Sequence, residues 1–134
     1  TGITKAGLIA ATVYKVTYFI KGTTPLTIPG TQGNVIKGNT NAAGWTCFEH
    51  KVTGITSVKI TGAGFVDELR LYPLMARMTT STYSPLIGIT NQCDERNQIS
   101  TYEYDAYGRL KVSRDQDGKV LSLYDYQYQV PVNR

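Results

Sequence analysis

A tyrosine pair that recurs along the chain constrains its fold more than any other feature. Tyr102 and Tyr104 flank a single residue, and the same Tyr-x-Tyr spacing returns 22 residues later at Tyr124 and Tyr126. A weaker copy lies upstream, in residues 82–89. Self-similarity with a period above about 20 residues is typical of units that cannot bury their apolar faces alone and must stack. The sequence therefore predicts a repeating β-sheet in the second half of the chain.

Turn signals separate the predicted strands of this half. Gly108 follows the strand predicted at 99–104, and Asp117-Gly118 is a two-residue hairpin signal before the strand predicted at 120–128. We expect the tyrosine rings to form cross-strand ladders, with their hydroxyls reaching water or backbone. We expect Arg109 to pair with a carboxylate such as Asp105 or one in a neighbouring repeat. The residues of the predicted repeat motif are Tyr102, Tyr104, Asp105, Gly108, Arg109, Leu110, Asp117, Gly118, Tyr124 and Tyr126.

The segment 102–110, answered by 124–128, resembles the YD repeat of RHS-type bacterial surface and toxin proteins. The resemblance covers residues 72–128 and implies β-hairpins that extend one sheet. The repeat segment and the sequence Leu-Arg-Leu-Tyr-Pro at 69–73 together make the chain similar to RHS-like surface proteins of gliding bacteria that are exported through the type 9 system. This similarity implies an extracellular, outer-membrane-associated location at the bacterial cell surface and a connection to secretion or motility machinery.

The first half also reads as β-structure. Tyr (10), Gly (13) and recurrent Thr and Val favour strands and turns over helices. Residues 13–21 alternate, which places Tyr14, Val16, Tyr18 and Ile20 on one face. Further strands are predicted at 25–30, 45–52, 58–60 and 65–72, with a loop at 38–44. Strands at short spacing between Gly-rich turns indicate a sandwich.

This half resembles the closing part of the jelly-roll modules that accompany secreted carbohydrate-active enzymes and adhesins. Residues 14–19, 44–46 and 65–71 carry the resemblance. A jelly roll has about eight strands, and fewer are predicted here, so another polypeptide or the rest of a larger parent would complete it. The prediction is an all-β chain, with a partial jelly-roll or β-sandwich at 1–72 and YD-repeat β-hairpins at 73–134. The first residue is Thr, which suggests a fragment or a processed product.

Three polar features receive structural interpretations. His50 is the single histidine, and we expect it on a strand surface because no motif places a nucleophile beside it. Asp67 shares a predicted face with Phe65, so partial burial is expected, and in related jelly rolls a carboxylate here often supports a structural calcium or a loop. Residues 115–118 resemble the start of a calcium loop, but the twelfth position is Tyr126 instead of Glu. We interpret them as a hairpin turn.

Charge and cysteine content exclude other classes. The net charge of +4 comes from dispersed Lys and Arg without a basic stripe, which argues against nucleic-acid binding. No apolar run approaches the roughly 20 residues of a membrane-spanning helix. Cys47 and Cys93 lack the spacing of a zinc site. We expect two free thiols, and a disulfide between them is the alternative. Neither catalytic residues nor a cofactor or metal site are predicted.

The predicted function is a non-catalytic structural and interaction module of a large secreted cell-surface protein. Its expected partner is another protein or the remainder of the parent chain, including an outer-membrane secretion or motility complex. One alternative is a carbohydrate-binding module that contacts polysaccharide through Trp45. Tyr14, Tyr18 and Phe48 are further candidates for stacking on sugar rings, although core packing is the simpler interpretation of each of these aromatic residues. Another alternative is part of an RHS toxin-encapsulating shell, which would need many more repeats.

Overall fold

The structure, a computed structural model, describes residues 2–127, and these contain eleven strands and no helix. The strands are β1 (Gly2–Ala6), β2 (Tyr14–Lys21), β3 (Ile36–Thr40), β4 (Trp45–Val52), β5 (Ser57–Thr61), β6 (Val66–Pro73), β7 (Thr80–Ser84), β8 (Gly88–Cys93), β9 (Ile99–Tyr104), β10 (Leu110–Arg114) and β11 (Val120–Leu123). They form three antiparallel sheets. The prediction of an all-β fold with sandwich character is confirmed.

The middle layer is a four-stranded sheet in the order β3-β4-β2-β6. Strands β2 and β4 pair without interruption from Tyr14 with Val52 to Lys21 with Trp45. Along β2 both faces are buried, since Val16, Thr17, Tyr18, Phe19 and Ile20 are each at most 5% exposed. A strand buried on both faces needs cover on both sides, and the two other sheets provide it.

The hydrophobic core lies on one face of this layer, against the two-stranded sheet β1–β5. Val16, Tyr18 and Phe48 from the four-stranded sheet pack with Val58 and Ile60 of β5. This confirms the core face predicted from the alternation in residues 13–21.

The connection between β2 and β3 closes one side of the core without forming a strand. Leu26 and Ile28 are buried in it, but segment 25–30 makes only one isolated bridge, between Thr27 and Thr61. The predicted strand at 25–30 is therefore wrong. Pro25 and Pro29 lack the backbone N–H that a paired strand requires.

The five-stranded sheet follows chain order, β11-β10-β9-β8-β7, as a meander. Cys93 pairs with Ile99 and Asn91 with Thr101, so these residues share the face that is turned toward the four-stranded sheet. Cys93 is 1% exposed on that face.

Arg70 joins the four-stranded sheet to the five-stranded sheet. It lies on β6 and is only 2% exposed. Its Nη1 donates to the carbonyls of Met78 at 3.3 Å and Asp94 at 3.1 Å, and its Nη2 donates to Oδ1 of Asn97. A planar guanidinium suits this role because it can donate to several acceptors from one fixed geometry.

A bulge in β6 overturns the predicted environment of Asp67. Glu68 has a φ of 50°, and the pairing between β2 and β6 shifts at this point. The extra residue breaks the alternation, so Val66, opposite Ile20, joins the face of Leu69. Asp67 is exposed and Phe65 is 76% exposed. The expected partial burial of Asp67 is wrong for this reason.

Candidate functional site

Four hairpin turns share one hydrogen-bond pattern. They begin at Asn41, Asp94, Asp105 and Asp115. In each, the backbone N–H of the first residue donates to the carbonyl of the fifth, and the N–H of the fourth donates back to the first. The first residue's Oδ1 also accepts from the N–H groups of the third and fifth residues, at 2.8–3.1 Å. Side-chain oxygens of Asn and Asp favour such turns.

The fourth residue of each turn has a positive φ. The values are 81° for Gly44, 62° for Asn97, 75° for Gly108 and 82° for Gly118. The predicted positive φ of Gly118 is confirmed, but the two-residue type I′ hairpin is wrong. Asp117 has no positive φ, and the closing pair at Asp115 and Lys119 encloses a three-residue loop. That pattern is a type I turn followed by a bulge residue in the left-handed region.

The second tyrosine of each pair anchors its ring on the neighbouring strand. The hydroxyl of Tyr104 donates to the carbonyl of Ile89 at 2.8 Å, and that of Tyr126 donates to the carbonyl of Leu110 at 2.9 Å. Both acceptors lie near the start of the preceding strand, so the two contacts are equivalent. Tyr102 differs, since its hydroxyl donates to Oε1 of Gln92 at 3.2 Å. The expected hydroxyl-to-backbone contacts are confirmed for Tyr104 and Tyr126.

Arg109 couples one turn to the next tyrosine pair. Its Nη2 lies 2.7 Å from Oδ2 of Asp105, which confirms the predicted ion pair. Its guanidinium also lies 4.1 Å from the centre of the Tyr126 ring, at cation–π distance. Hydrogen bonds to the carboxylate, first that from the Arg109 backbone N–H, lower the pKa of Asp105.

The other predicted motif residues occupy supporting positions. Leu110 pairs with Tyr104 and is half-buried. Tyr124 follows β11, where its N–H donates to the carbonyl of Lys111 at 2.9 Å. The predicted returning strand at 120–128 ends at Leu123 within the described residues, and Tyr128 lies outside them.

One side of the sandwich is open. The sheet opposite the four-stranded layer has only two strands, and β1 is exposed at all five positions. Its pairing with β5 is regular from Gly2 to Ala6. Between β1 and β6 lies an apolar groove with two cavities of about 540 and 230 Å³. We call this the sandwich groove, and its main apolar lining residues are Ile3, Leu26, Val58, Ile60, Leu69 and Leu71.

On the opposite face of the four-stranded sheet, a cleft of about 400 Å³ separates the four-stranded sheet from the five-stranded sheet β11-β10-β9-β8-β7, which we call the repeat sheet. We call this the interlayer cleft. Trp45, Phe19 and Ile99 provide apolar walls, and Asp67 and Arg114 provide polar ones. Trp45 is half-buried at the start of β4. The alternative aromatic candidates Tyr14, Tyr18 and Phe48 are core residues with exposures of 8%, 0% and 2%.

His50 is buried, so the predicted surface position is wrong. Its side chain is 2% exposed, because it lies on the face of β4 that also carries Phe48 and Val52. Its Nε2 lies 3.0 Å from the hydroxyl of Tyr18, and its Nδ1 lies 3.0 Å from that of Thr31.

The partners of His50 define a directed chain of hydrogen bonds. Leu26 N–H donates to the Tyr18 oxygen at 2.7 Å, and the Thr31 hydroxyl donates to the Ile28 carbonyl at 2.6 Å. The Tyr18 proton is therefore free for Nε2, and the Thr31 oxygen accepts from Nδ1–H. This assigns a neutral imidazole with its proton on Nδ1. Burial lowers the pKa of His50 and favours the same neutral form.

The two cysteines are free thiols that flank Arg70. Burial raises the pKa of each to about 11, although the Arg70 charge acts in the opposite direction. Thiols with such pKa values are not nucleophiles at neutral pH. The expectation of two free thiols is confirmed.

Sequence reasoning missed Arg70 and Asn41 as organising residues. For Asn41 a signal exists, since Asn-Ala-Ala-Gly-Trp matches the spacing of Asp105 to Arg109, with Gly in the fourth position. For Arg70 no sequence signal exists, because two of its three acceptors, Asp94 and Asn97, lie 24 and 27 residues further along the chain.

Residues 2–127 contain no group of three or more His, Cys, Asp or Glu side chains placed to hold a metal ion. Within the same range, no helix has the length and apolar character needed to cross a membrane.

No family model, curated protein or solved structure matches the chain.

Proposed function

We propose that this chain is a non-catalytic structural and interaction module of a large secreted cell-surface protein, and that it accepts an extended β-strand along the open side of its sandwich. The observation that supports this most directly is that the exposed strand β1 lies directly beside the sandwich groove. An added strand would hydrogen-bond to the free edge of β1 while its alternate side chains entered the groove.

Strand β1 carries one of the features by which proteins protect a free edge, the charged side chain of Lys5, but it lacks two others. It contains no proline and no bulge, and its pairing with β5 is continuous over all five residues. Soluble proteins usually block such edges because they template pairing with other chains. Ile3, whose side chain faces the groove, is 62% exposed, and burying an apolar side chain of this size contributes about 1.5–3 kcal/mol.

The proposed setting is an RHS-type protein on a bacterial cell surface, exported by or associated with an outer-membrane type 9 secretion or gliding complex. Support comes from the repeated tyrosine contacts at Tyr104 and Tyr126 and from the Asp turns at Asp105 and Asp115. The occupant of the groove would be a protein partner or another part of the parent. In the competing role, a toxin-encapsulating shell, the parent would carry many more repeats, so the parent's length separates the two.

A site-specific photo-crosslinker tests the docking proposal in the native assembly. A photoreactive phenylalanine analogue replaces Ile3, whose side chain faces the groove, or Thr4, whose side chain faces away. We expect irradiation to yield a crosslinked peptide from position 3 and far less from position 4. Equal yields at the two positions, or none at position 3, would contradict the proposal.

A further inference from the structure

We propose that the interlayer cleft is a binding site for a neutral pyranose ring of a glycan. The cleft lies on the face of the four-stranded sheet that is opposite to the sandwich groove, so this proposal does not depend on strand docking. Its volume of about 400 Å³ lies in the range of small-molecule sites, about 300–1,000 Å³.

The walls of the cleft match the two surfaces of a sugar ring. A pyranose has an apolar C–H face and a rim of hydroxyls, so it needs an aromatic or aliphatic platform beside convergent hydrogen-bonding groups. Trp45, Phe19 and Ile99 supply the first, and Asp67, Arg114 and Asp115 supply the second. A purely apolar ligand would leave these polar groups without compensation in the complex, which costs binding free energy.

The polar groups retain hydrogen-bonding capacity for a ligand. Asp67 uses Oδ1 to accept from the N–H of Glu68 at 2.8 Å, and Asp115 uses Oδ1 within its turn. Arg114 uses Nε toward Glu103 and Nη1 toward the carbonyl of Gly118. Among the contacts of residues 2–127, Oδ2 of both aspartates and Nη2 of Arg114 have no protein partner. Two acceptors and one donor are therefore open to hydroxyl groups.

The cleft is preformed because two of the four matching turns build its rim. The turn at Asn41 positions Trp45, whose N–H donates to Oδ1 of Asn41 at 2.9 Å. The turn at Asp115 stands opposite, and the carbonyl of Gln116 accepts from Nδ2 of Asn41 at 3.4 Å. A ligand that enters a preformed site does not have to order it, which reduces the free-energy cost of binding.

The charge of the cleft selects the class of sugar. Asp67, Asp115 and Asp117 line it with Arg114 as the lining cation, so its balance is negative. The negative charge of the cleft repels a negatively charged ligand and so lowers its affinity. Uronic and other acidic sugars are therefore disfavoured, and neutral rings are preferred.

The indole N–H signal of Trp45 reports binding directly, since this is the single tryptophan of the chain. The full chain, labelled with ¹⁵N, is titrated with neutral gluco-, xylo-, manno- and N-acetylglucosamine oligosaccharides at concentrations up to about 10 mM, and separately with oligogalacturonates. We expect a saturable shift of the indole signal with at least one neutral series and none with the acidic one. No saturable shift with any neutral series, or a shift with the acidic series alone, overturns the proposal.

Matched variants distinguish the cleft from binding elsewhere. Asp67→Ala removes an exposed carboxylate and is expected to weaken the neutral-sugar affinity by about tenfold or more. Tyr83→Ala removes an aromatic ring that is 68% exposed and lies outside the cleft, and it is expected to leave the affinity unchanged. Spectral dispersion confirms that both variants are folded. An unchanged affinity in Asp67→Ala, or an equal loss in Tyr83→Ala, overturns the assignment to this cleft.

Discussion

At the residue scale, a single side-chain oxygen organises each of four turns. Asn41 performs the same task in the sandwich that Asp94, Asp105 and Asp115 perform in the repeat sheet. The shared element is an Oδ1 acceptor followed three positions later by a residue that tolerates a positive φ. Charge is therefore not required for the turn itself, since the neutral amide of Asn41 accepts the same two hydrogen bonds.

We expect Gly118→Val to reduce the free energy of unfolding by about 1–3 kcal/mol, because a β-branched residue is strained at a φ of 82°. Space is not the cause, since no atom lies within 4 Å of an added Cβ. Gly118→Asn is the matched control, because Asn97 occupies the equivalent position with a φ of 62°. Denaturant unfolding measures both. Equal stability of the Val and Asn variants would contradict the backbone explanation.

The buried His50 makes stability depend on pH. Its folded pKa lies below the usual 6.5, so the unfolded chain binds a proton more readily than the folded chain. The contribution of neutral His50 is then complete above about pH 6.5 and is lost as pH falls toward the folded pKa.

We expect the free energy of unfolding of the wild-type chain to fall between about pH 7.5 and about pH 5. The variant His50→Gln should be less stable at pH 7.5 and should lose less on acidification. Denaturant unfolding at the two pH values gives both quantities. An equal pH-dependent loss in the variant would show that another group is responsible.

His50 and Asp67 show what the sequence can and cannot predict about the burial of a single residue. The burial of His50 was readable, because alternation from Phe48 to Val52 places His50 on the same face. The exposure of Asp67 was not readable, because it depends on the bulge at Glu68. A bulge is fixed by how two strands pair, and neither strand carries a sequence mark of it.

At the element scale, predictability follows burial. Strands β2 and β4 each bury one complete face, and their alternating sequences predicted their bounds within one residue. Strands β1 and β3 are exposed at all five positions, so they carry no alternation. Strand β1 was not predicted, and most of β3 falls in the predicted loop at 38–44. These two edge strands are held mainly by backbone hydrogen bonds, which their exposed side chains do not encode.

The hydroxyl-to-carbonyl contact of Tyr104 recurs at Tyr126 and links each tyrosine to the preceding strand. We expect Tyr104→Phe to lower the free energy of unfolding by about 0.5–1.5 kcal/mol, because the carbonyl of Ile89 loses its hydroxyl donor. Tyr83→Phe is the control, since that ring is 68% exposed. Thermal unfolding compares the two. A loss in Tyr83→Phe as large as that in Tyr104→Phe would rule out the ladder as the source.

At the scale of the whole molecule, three sheets stack with the four-stranded sheet in the middle. The sequence predicted a sandwich followed by hairpins, yet it contained no indication that the hairpin sheet covers the second face of β2. That contact depends on Arg70, whose acceptors Met78, Asp94 and Asn97 come from the repeat half. Long-range hydrogen bonds of one side chain are invisible to periodicity.

We expect Arg70→Met to destabilise the chain by about 2–4 kcal/mol, because three half-buried acceptors lose their donor while the apolar volume is largely kept. Arg77→Met is the control, since the Arg77 side chain is 84% exposed and its ion pair with Glu95 contributes little. Denaturant unfolding followed by Trp45 fluorescence measures both. Similar small losses in both variants would contradict the role of Arg70 as the joint.

In the proposed function, a strand from another chain or from the parent completes the sandwich at β1. Hydrogen exchange of the amides, measured in the isolated chain and in the native assembly, tests this most directly. We predict slower exchange across Gly2–Ala6 in the assembly, while Ile36–Thr40, an edge strand that is likewise exposed at all five positions, stays unchanged. Unchanged exchange at Gly2–Ala6 in an assembly that contains the chain would contradict strand docking at β1.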